Sequence, residues 1–273
     1  MLRKIFHVAL MLFSVSLLFT ACSRDKKDRV VIKGSTTALP ITQKTAEEYR
    51  KTNRVSITIE GSGSGNGIKA LVDGSADIAN SSRSMKDEEK KSASEKGIKV
   101  REIKVAYDMI VPVINPSNKV ANLTVAQLKA VYDGSIKNWK ELGGADASIV
   151  VISRDTSSGT YEVWHEKVMK NTDVRKDALL QASNGAIVGT VTENPRAIGY
   201  VGFGYISQKI KALKVNGVEP TIENGKSGKF PLSRELYMYV NDGRLSDNAK
   251  KFIDYILSKD GQKLVKEEGF IPL

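Results

Sequence analysis

Short apolar segments with β-strand character alternate with helical patterns along nearly the whole chain. Residues 30–32, 55–59 and 150–152 are typical of buried strands, and apolar residues three and four positions apart follow each of them. Such alternation places strands side by side in sheets whose faces are covered by helices. The sequence therefore predicts an α/β fold with mainly parallel sheets flanked by helices.

Two apolar segments divide this pattern into two parts. Residues 108–115 form a long apolar run that suits a crossing into a second domain, and residues 236–240 suit a returning strand. The roughly 250 residues beyond the leader are also more than a domain with a single hydrophobic core usually contains. We therefore predict two lobes joined by a two-crossing hinge, with residues 29–107 and 238–273 in lobe I and residues 108–237 in lobe II.

The start of the chain has the features of an export signal. A positively charged beginning precedes an apolar run at residues 5–19, and small residues then lead to Cys22, as in a bacterial lipoprotein signal. Phe19 stands where such signals usually have leucine. The run is shorter than the ~20 residues that span a bilayer, and an uncleaved anchor is the alternative. We predict that residues 1–21 are a signal peptide, that Cys22 is lipidated and that residues 22–28 are a tether.

The composition excludes several classes of function. The formal net charge is +11, but export argues against nucleic acid, and the lysines are scattered as on a solvated surface, for example in residues 86–96. Cys22 is the only cysteine, so no intramolecular disulfide can form. Beyond the leader, His165 is the only histidine, and a His/Cys metal site cannot be built. We expect no metal, no cofactor and no nucleic-acid partner.

Three strand-to-helix junctions share one character. Residues 34–38, 61–67 and 154–160 each combine hydroxyl side chains with small residues whose backbone can approach a ligand closely. The first N–H groups of a helix have no partner within the helix, and this suits an oxyanion. One such junction is commonly only a helix cap. Because all three follow strands, we expect them to meet in one cleft and to form an oxyanion site.

Familiar enzyme motifs are missing from the sequence. Residues 61–67 do not satisfy the dinucleotide-binding pattern, and Pro220 stands where a P-loop ending at residues 225–227 needs its first glycine. No serine has glycines two residues away on both sides, as a nucleophile elbow requires. His165 fits the surface of a helix better than the role of a catalytic base. We predict a binding protein rather than an enzyme.

The order of these motifs is similar to that of the phosphate-binding protein (PstS) family of bacterial phosphate ABC importers. The shared features are residues 34–37 with Pro40, the loop 61–67, residues 81–83, residues 154–160, residues 197–202 and the ending 261–273. The resemblance covers essentially residues 30–273. It implies a periplasmic-binding-protein-like fold of type II, whose two lobes close on one phosphate ion.

The resemblance also implies which residues bind phosphate. The candidates on the two lobes are Thr36, Thr37, Ala38, Ser64, Ser82, Arg83, Arg154, Ser158, Gly159 and Thr160. Asp155, or a nearby acid, is expected to orient Arg154 and to neutralise part of its charge. Many family members have an aspartate near Ser82 that accepts the proton of HPO4²⁻, so a serine there makes rejection of sulfate less secure. Arg83 either contacts the anion or only pairs with an acid on its own lobe.

The family implies a set of partners and a location. These are inorganic phosphate, the permease subunits of an ABC transporter and the membrane through a lipid anchor, for an extracytoplasmic monomer. Three alternatives stay open on the sequence. They are the same fold binding sulfate, molybdate or tungstate, an exported phosphate-ester hydrolase, and a surface adhesion or scaffolding protein with a vestigial cleft.

Overall fold

The computed structural model describes residues 29–273, and the predicted signal peptide, Cys22 and the tether lie outside the described residues. The strands are β1 (Arg29–Gly34), β2 (Ser56–Gly61), β3 (Ile78–Ser81), β4 (Val100–Ile114), β5 (Asn122–Leu123), β6 (Val150–Arg154), β7 (Leu179–Gln181), β8 (Ala197–Gly202), β9 (Lys211–Ala212), β10 (Lys214–Val215) and β11 (Ser233–Asn241). The α-helices are α1 (Leu39–Arg50), α2 (Ser64–Val72), α3 (Asp87–Glu95), α4 (Val125–Asp133), α5 (Gly159–Lys167), α6 (Asn184–Glu193), α7 (Ile222–Lys226), α8 (Asp247–Leu257) and α9 (Lys259–Glu267). The alternation of strands and helices confirms the predicted α/β class.

The main sheet runs continuously through the described chain in the order β2-β1-β3-β11-β4-β8-β6-β7, and β9 pairs with β4 beside this path. The outer strands are parallel: β1 pairs with β2 and β3, and β6 pairs with β7 and β8. The two central strands β4 and β11 are antiparallel to each other and to their neighbours. The sheet is therefore parallel on each side and antiparallel where the two sides join.

Two large hydrophobic cores lie on either side of this junction. One contains Val30 and Leu236 and is packed with residues of α1 and α8, and the other contains Ile110, Trp164 and Leu232. We call the half around the first core lobe I and the half around the second core lobe II. β4 and β11 pass between them, as the two predicted crossings require. The exact boundaries at 107/108 and 237/238 stay a prediction.

Lobe I has helices on both faces of its sheet. On one face, α1 and α8 pack around Ile41 and Phe252. A smaller cluster that includes Ile68 and Leu71 of α2 covers the other face with Met85. This arrangement leaves the carboxyl edge of β1, β2 and β3 free to form a site, as in other open α/β sheets.

β4 differs from the sequence prediction in its length. It begins at Val100, well before the predicted apolar run at 108–115. Residues 100–107 contain charged residues and pass from exposed at Arg101 and Glu102 to buried at Val105 and Ala106, while this part of β4 pairs with β11. The fully apolar half, residues 109–114, lies in the core of lobe II.

Candidate functional site

The carboxyl ends of the parallel strands meet at the interface between the two lobes. Residues 35–38 and 62–65 follow β1 and β2 in lobe I, and residues 155–160 follow β6 in lobe II. Across this interface the backbone N–H of Gly65 donates to the carbonyl oxygen of Ser157 at 3.0 Å. The three junctions singled out in the sequence therefore lie together.

Hydroxyl side chains line both sides of the interface. Thr37 Oγ1 lies 2.9 Å from Thr160 Oγ1, which joins lobe I to lobe II. Within lobe I, Ser64 Oγ lies 3.3 Å from Ser82 Oγ and accepts a hydrogen bond from the backbone N–H of Ser82 at 3.1 Å. The buried side chains with hydroxyl groups here are Ser35, Thr36, Thr37, Ser64, Ser81, Ser82, Ser158 and Thr160. The interface is thus rich in donors and shielded from bulk water.

Three helices begin at this interface. Ala38 and Gly63 are the N-cap residues of α1 and α2, and neither supplies a side-chain hydrogen bond to its helix. Ser158 caps α5, and its Oγ accepts from the backbone N–H of Tyr161 at 3.2 Å. Helix N-termini carry partial positive charge, so all three favour an anion between them.

Gly159 marks a close approach between the two lobes at this site. A Cβ atom on this residue would lie 2.4 Å from Ser64 Oγ and 2.9 Å from Ser82 Oγ. Gly63 has a similar constraint, because its φ is 96° and a Cβ there would lie 2.5 Å from Ser157 Oγ. Both glycines are therefore needed for the two chain segments to come together.

Arg154 is the last residue of β6 and is only 1% exposed. Its Nε and Nη2 donate to the carbonyl oxygens of Gln181 and Ala182, both at 2.9 Å, while Nη1 has no hydrogen-bond partner among the residues described. Burial lowers the pKa of the guanidinium, but arginine remains charged at neutral pH. A buried charged donor without a partner is unfavourable, so Nη1 indicates an anionic ligand.

Asp155 holds the loop that precedes α5. Its Oδ1 accepts from the backbone N–H of Ser157 at 2.9 Å and from the hydroxyl of the same residue. Backbone carbonyls, rather than this carboxylate, receive the hydrogen bonds of Arg154 in the described chain. Asp155 acts on Arg154 through its charge, which raises the pKa of the guanidinium against the larger, opposite effect of burial.

Arg83 pairs with acids from both lobes. Its Nη1 and Nη2 donate to the two carboxylate oxygens of Glu89, each at 2.7 Å, and Glu89 belongs to lobe I like Arg83 itself. Its Nε lies 2.5 Å from an oxygen of Glu162, which belongs to α5 in lobe II. Two roles were considered for Arg83, contact with the anion and pairing with an acid on its own lobe. The structure shows the pairing with Glu89 on the same lobe and a further pairing with Glu162 on the opposite lobe.

Two site residues were missed by sequence reasoning, Asp108 of β4 and Arg234 of β11, which are paired in the register of these strands. Asp108 Oδ2 accepts from Nε of Arg234 at 2.8 Å and lies 2.7 Å from Nη2, while its Oδ1 accepts from the backbone N–H of Phe203 at 2.8 Å. Nη1 of Arg234 donates to Thr160 Oγ1 at 3.0 Å and to the carbonyl oxygen of Ser82 at 3.3 Å. Arg234 thus contacts hydroxyl and carbonyl groups of both lobes.

Burial raises the pKa of the Asp108 carboxyl and lowers that of the Arg234 guanidinium, while their mutual attraction opposes both shifts. The two charges offset each other. The charge of Arg154 and the neutral donors are then available to a ligand. We call the set formed by the following residues the polar centre: Thr36, Thr37, Ser64, Ser82, Arg154, Ser158, Thr160 and Arg234.

A weak signal for the buried pair exists in the sequence. Asp108 is the only charged residue between positions 105 and 114, and a charge within a buried strand needs a partner. The sequence contains 42 lysine and arginine residues, so it does not reveal which of them pairs with Asp108.

Asn184 and Tyr205 of lobe II also reach lobe I, and neither was predicted. Nδ2 of Asn184 donates to Thr36 Oγ1 and to Thr37 Oγ1, both at 3.2 Å, while its Oδ1 accepts from the backbone N–H of Gly202 at 3.0 Å. The hydroxyl of Tyr205 donates to the carbonyl oxygen of Thr36 at 2.5 Å. Direct hydrogen bonds therefore fix the loop after β1 to lobe II.

Metal-ligating side chains do not cluster in the part of the chain that the structure describes. Within residues 29–273, no group of three or more His, Cys, Asp or Glu side chains could hold a metal ion. The ring of His165 stacks on Tyr161 along α5, with ring centroids 5.6 Å apart. None of the helices within residues 29–273 is long and apolar enough to cross a membrane.

The fold and the polar centre together define a class of protein, the two-lobed α/β binding proteins whose enclosed site suits a small oxyanion. Residues 21–260 match the family model described as PBP superfamily domain. The chain is 34% identical to the phosphate-binding protein PstS of Borreliella burgdorferi, over 99% of each chain. The chain belongs to the PstS family of phosphate-binding proteins.

Solved structures agree with this assignment. A phosphate ABC transporter substrate-binding protein from Clostridium perfringens, solved with bound phosphate, has a TM-score of 0.85 and 38% identity, and the match covers 90% of this chain and 99% of that one. An ABC-type phosphate transport receptor from Vibrio cholerae has a TM-score of 0.73 and 31% identity, with 89% and 100% covered. The family resemblance and the two-lobed fold class predicted from the sequence are confirmed, while the roles of individual site residues stay predictions.

Proposed function

We propose that this protein captures inorganic phosphate at the polar centre and delivers it to an ABC importer. The observation that carries the proposal is Nη1 of Arg154, which is buried and unpaired among the described residues. Hydroxyl groups of both lobes meet in the same interface. Relatives named as phosphate-binding proteins, and one solved with bound phosphate, support phosphate as the anion.

Phosphate that enters a closed site loses its water shell, and fixed donors must replace it. Hydrogen bonds that involve a charged group contribute about 1.5–3 kcal/mol each, so several of them can support tight binding. The proposed donors of lobe I are Thr36, Thr37, Ala38 and Ser64, with Ser82 beside them, and those of lobe II are Arg154, Ser158, Gly159 and Thr160. Because the donors come from both lobes, phosphate favours the closed form through its differential affinity for that form.

We propose that the closed form is what the permease subunits of the importer recognise. The protein would act as an extracytoplasmic monomer held at the membrane by a lipid on Cys22. In this role it binds and releases phosphate without chemical turnover, so it is not an enzyme. The export features of residues 1–22 and the family's association with ABC transport support this part of the proposal.

Calorimetry with inorganic phosphate tests the binding site. We expect one phosphate per wild-type chain, and about a hundredfold or greater loss of affinity in Arg154→Ala, because a charged donor is removed from a dry site. Arg244→Ala removes an exposed arginine and serves as the control, with unchanged affinity expected. Equal affinity in wild type and Arg154→Ala would contradict the assignment.

Competition experiments separate phosphate from other tetrahedral anions. Ser82 can donate as well as accept a hydrogen bond, and its hydroxyl lies beside that of Ser64, so sulfate is the most informative competitor. We expect phosphate to displace sulfate, molybdate and tungstate from the purified protein. Tighter binding of any of these three would assign the site to that anion instead. Phosphate release from a generic ester, abolished in His165→Ala, would instead favour a hydrolase.

A further inference from the structure

Four charged side chains form a compact group at the edge of the interlobe interface. The members are Arg83, Lys86, Glu89 and Glu162, and we call them the rim cluster. Arg83 lies 2.7 Å from Glu89 and 2.5 Å from Glu162, and Lys86 lies 3.1 Å from Glu162. Glu162 belongs to lobe II, whereas the other three belong to lobe I, so two ion pairs cross between the lobes.

The rim cluster is attached directly to segments of the polar centre. Glu162 lies in the first turn of α5, which begins at Gly159. Arg83 follows Ser82 in the chain, and its Nη2 lies 3.7 Å from the position of a Cβ on Gly65. A movement that separates the lobes at the rim therefore also separates the hydroxyl groups that face each other at the centre.

The rim cluster also borders an open cleft of about 1010 Å³. Arg83, Lys86 and Glu162 line this cleft, and so does Arg234 of the polar centre. The rim cluster and the polar centre therefore border the same opening to solvent.

The pairing of Arg83 makes the contact reversible. The side chain of Arg83 is 6% exposed and that of Glu162 is 16% exposed, so their attraction is only partly screened by water. If the lobes parted, Arg83 would keep both hydrogen bonds to Glu89, which lies on the same lobe, and Glu162 would gain water. A charge left buried without a partner would make opening strongly unfavourable, and this pairing leaves neither charge in that state.

We propose that the rim cluster is a latch that holds the lobes closed and sets how fast bound phosphate is released. The proposal rests on the proposed function, and within it Glu162 is a positioning residue that need not touch the anion. Since the cross-lobe pairs exist only in the closed form, removing them speeds opening and leaves capture by the open form nearly unchanged. Removal of the cross-lobe pairs should therefore change the dissociation rate of phosphate more than its association rate.

The test measures release of radiolabelled inorganic phosphate from preloaded protein into excess unlabelled phosphate. We expect Glu162→Gln to release phosphate about tenfold faster than wild type, because a partly buried charge pair is lost while Arg83 remains paired with Glu89. Added salt should accelerate release from wild type more than from Glu162→Gln. Glu162→Asp, which keeps the charge, should restore part of the wild-type rate.

Glu166→Gln is the matched control. Glu166 lies one turn further along α5, lines the same cleft and forms no ion pair with the described residues, so its variant should release phosphate at the wild-type rate. Equal release rates for wild type and Glu162→Gln, or equal acceleration in both variants, would overturn the proposal.

A second measurement separates this proposal from the proposed function. Small-angle X-ray scattering of the ligand-free proteins should give a larger radius of gyration for Glu162→Gln than for wild type and Glu166→Gln. If the wild-type protein binds no phosphate, the proposed function fails, yet this comparison still tests the latch. Identical radii for the three proteins would then overturn it.

Discussion

The polar centre and the rim cluster both contain an arginine that contacts the two lobes, but the acids that pair with these arginines differ in their exposure to water. Arg234 pairs with Asp108, which has no solvent exposure, whereas Arg83 pairs with Glu89 and Glu162 at the edge of the interface. A charge at the centre cannot leave its partner without being stranded in a dry environment. The carboxylate of Glu162 at the rim is 16% exposed and can exchange its partner for water. We therefore expect the centre to govern folding and binding, and the rim to govern how long the lobes stay closed.

The largest effect is expected at the buried pair. Arg234→Met removes one partner and leaves Asp108 as an uncompensated buried charge, which lowers the free energy of unfolding by about 3–5 kcal/mol. Urea denaturation followed by circular dichroism measures this change. Arg244→Met, at an exposed position, should change the free energy of unfolding by less than about 0.5 kcal/mol.

A double variant shows whether the stranded charge is the cause. Asp108→Asn combined with Arg234→Met removes both charges, so the double variant should be more stable than Arg234→Met alone. If Arg234→Met were no less stable than Arg244→Met, the proposed contrast between centre and rim would be lost.

Gly159 offers a way to block closure without altering a charge. In Gly159→Ala the added methyl group would lie 2.4 Å from Ser64 Oγ on the opposite lobe. Overpacking of this kind is unfavourable by about 1–3 kcal/mol, so we expect roughly tenfold to hundredfold weaker phosphate binding in calorimetry. The ligand-free protein should keep nearly its full stability, because its lobes can move apart and relieve the clash.

Gly189→Ala is the control for this substitution. Gly189 lies within α6, and a Cβ there meets nothing within 4 Å, so the variant should bind phosphate normally and gain about 0.5–1 kcal/mol of stability from helix propensity. Normal phosphate affinity in Gly159→Ala would show that the interface has more room than the structure indicates.

The difference between centre and rim also explains what the sequence could reveal. The junctions at 34–38, 61–67 and 154–160 are local patterns, and the strands before them direct all three to one edge, so their meeting was predictable. The alternation of strands and helices predicted the fold class for the same reason. The first half of β4 was missed because its charged, partly exposed residues interrupt the apolar run that marks the second half.

The pairs that hold the lobes together are not local. Asp108 and Arg234 are separated by 126 positions, and neither segment contains a pattern that identifies the other as its partner. Likewise, Asn184 looks like an ordinary residue at the start of a helix until the fold places it on Thr36 and Thr37. Contacts of this kind depend on how the two lobes meet. The residue patterns within each lobe do not encode that arrangement.

The smallest effect is expected at the exposed side of the rim cluster. The side chain of Lys86 is 44% exposed and lies 3.1 Å from Glu162, so the pair is largely screened by water and is worth at most about 1 kcal/mol. Lys86→Met should therefore speed the release of radiolabelled phosphate by no more than about fivefold, less than Glu162→Gln, which loses both cross-lobe pairs. Lys90→Met is the control, because Lys90 pairs with Asp87 on its own lobe and should leave release unchanged. If Lys86→Met matched or exceeded the effect of Glu162→Gln, Lys86 rather than Arg83 would be the main cation of the latch, and burial would not govern the strength of the rim.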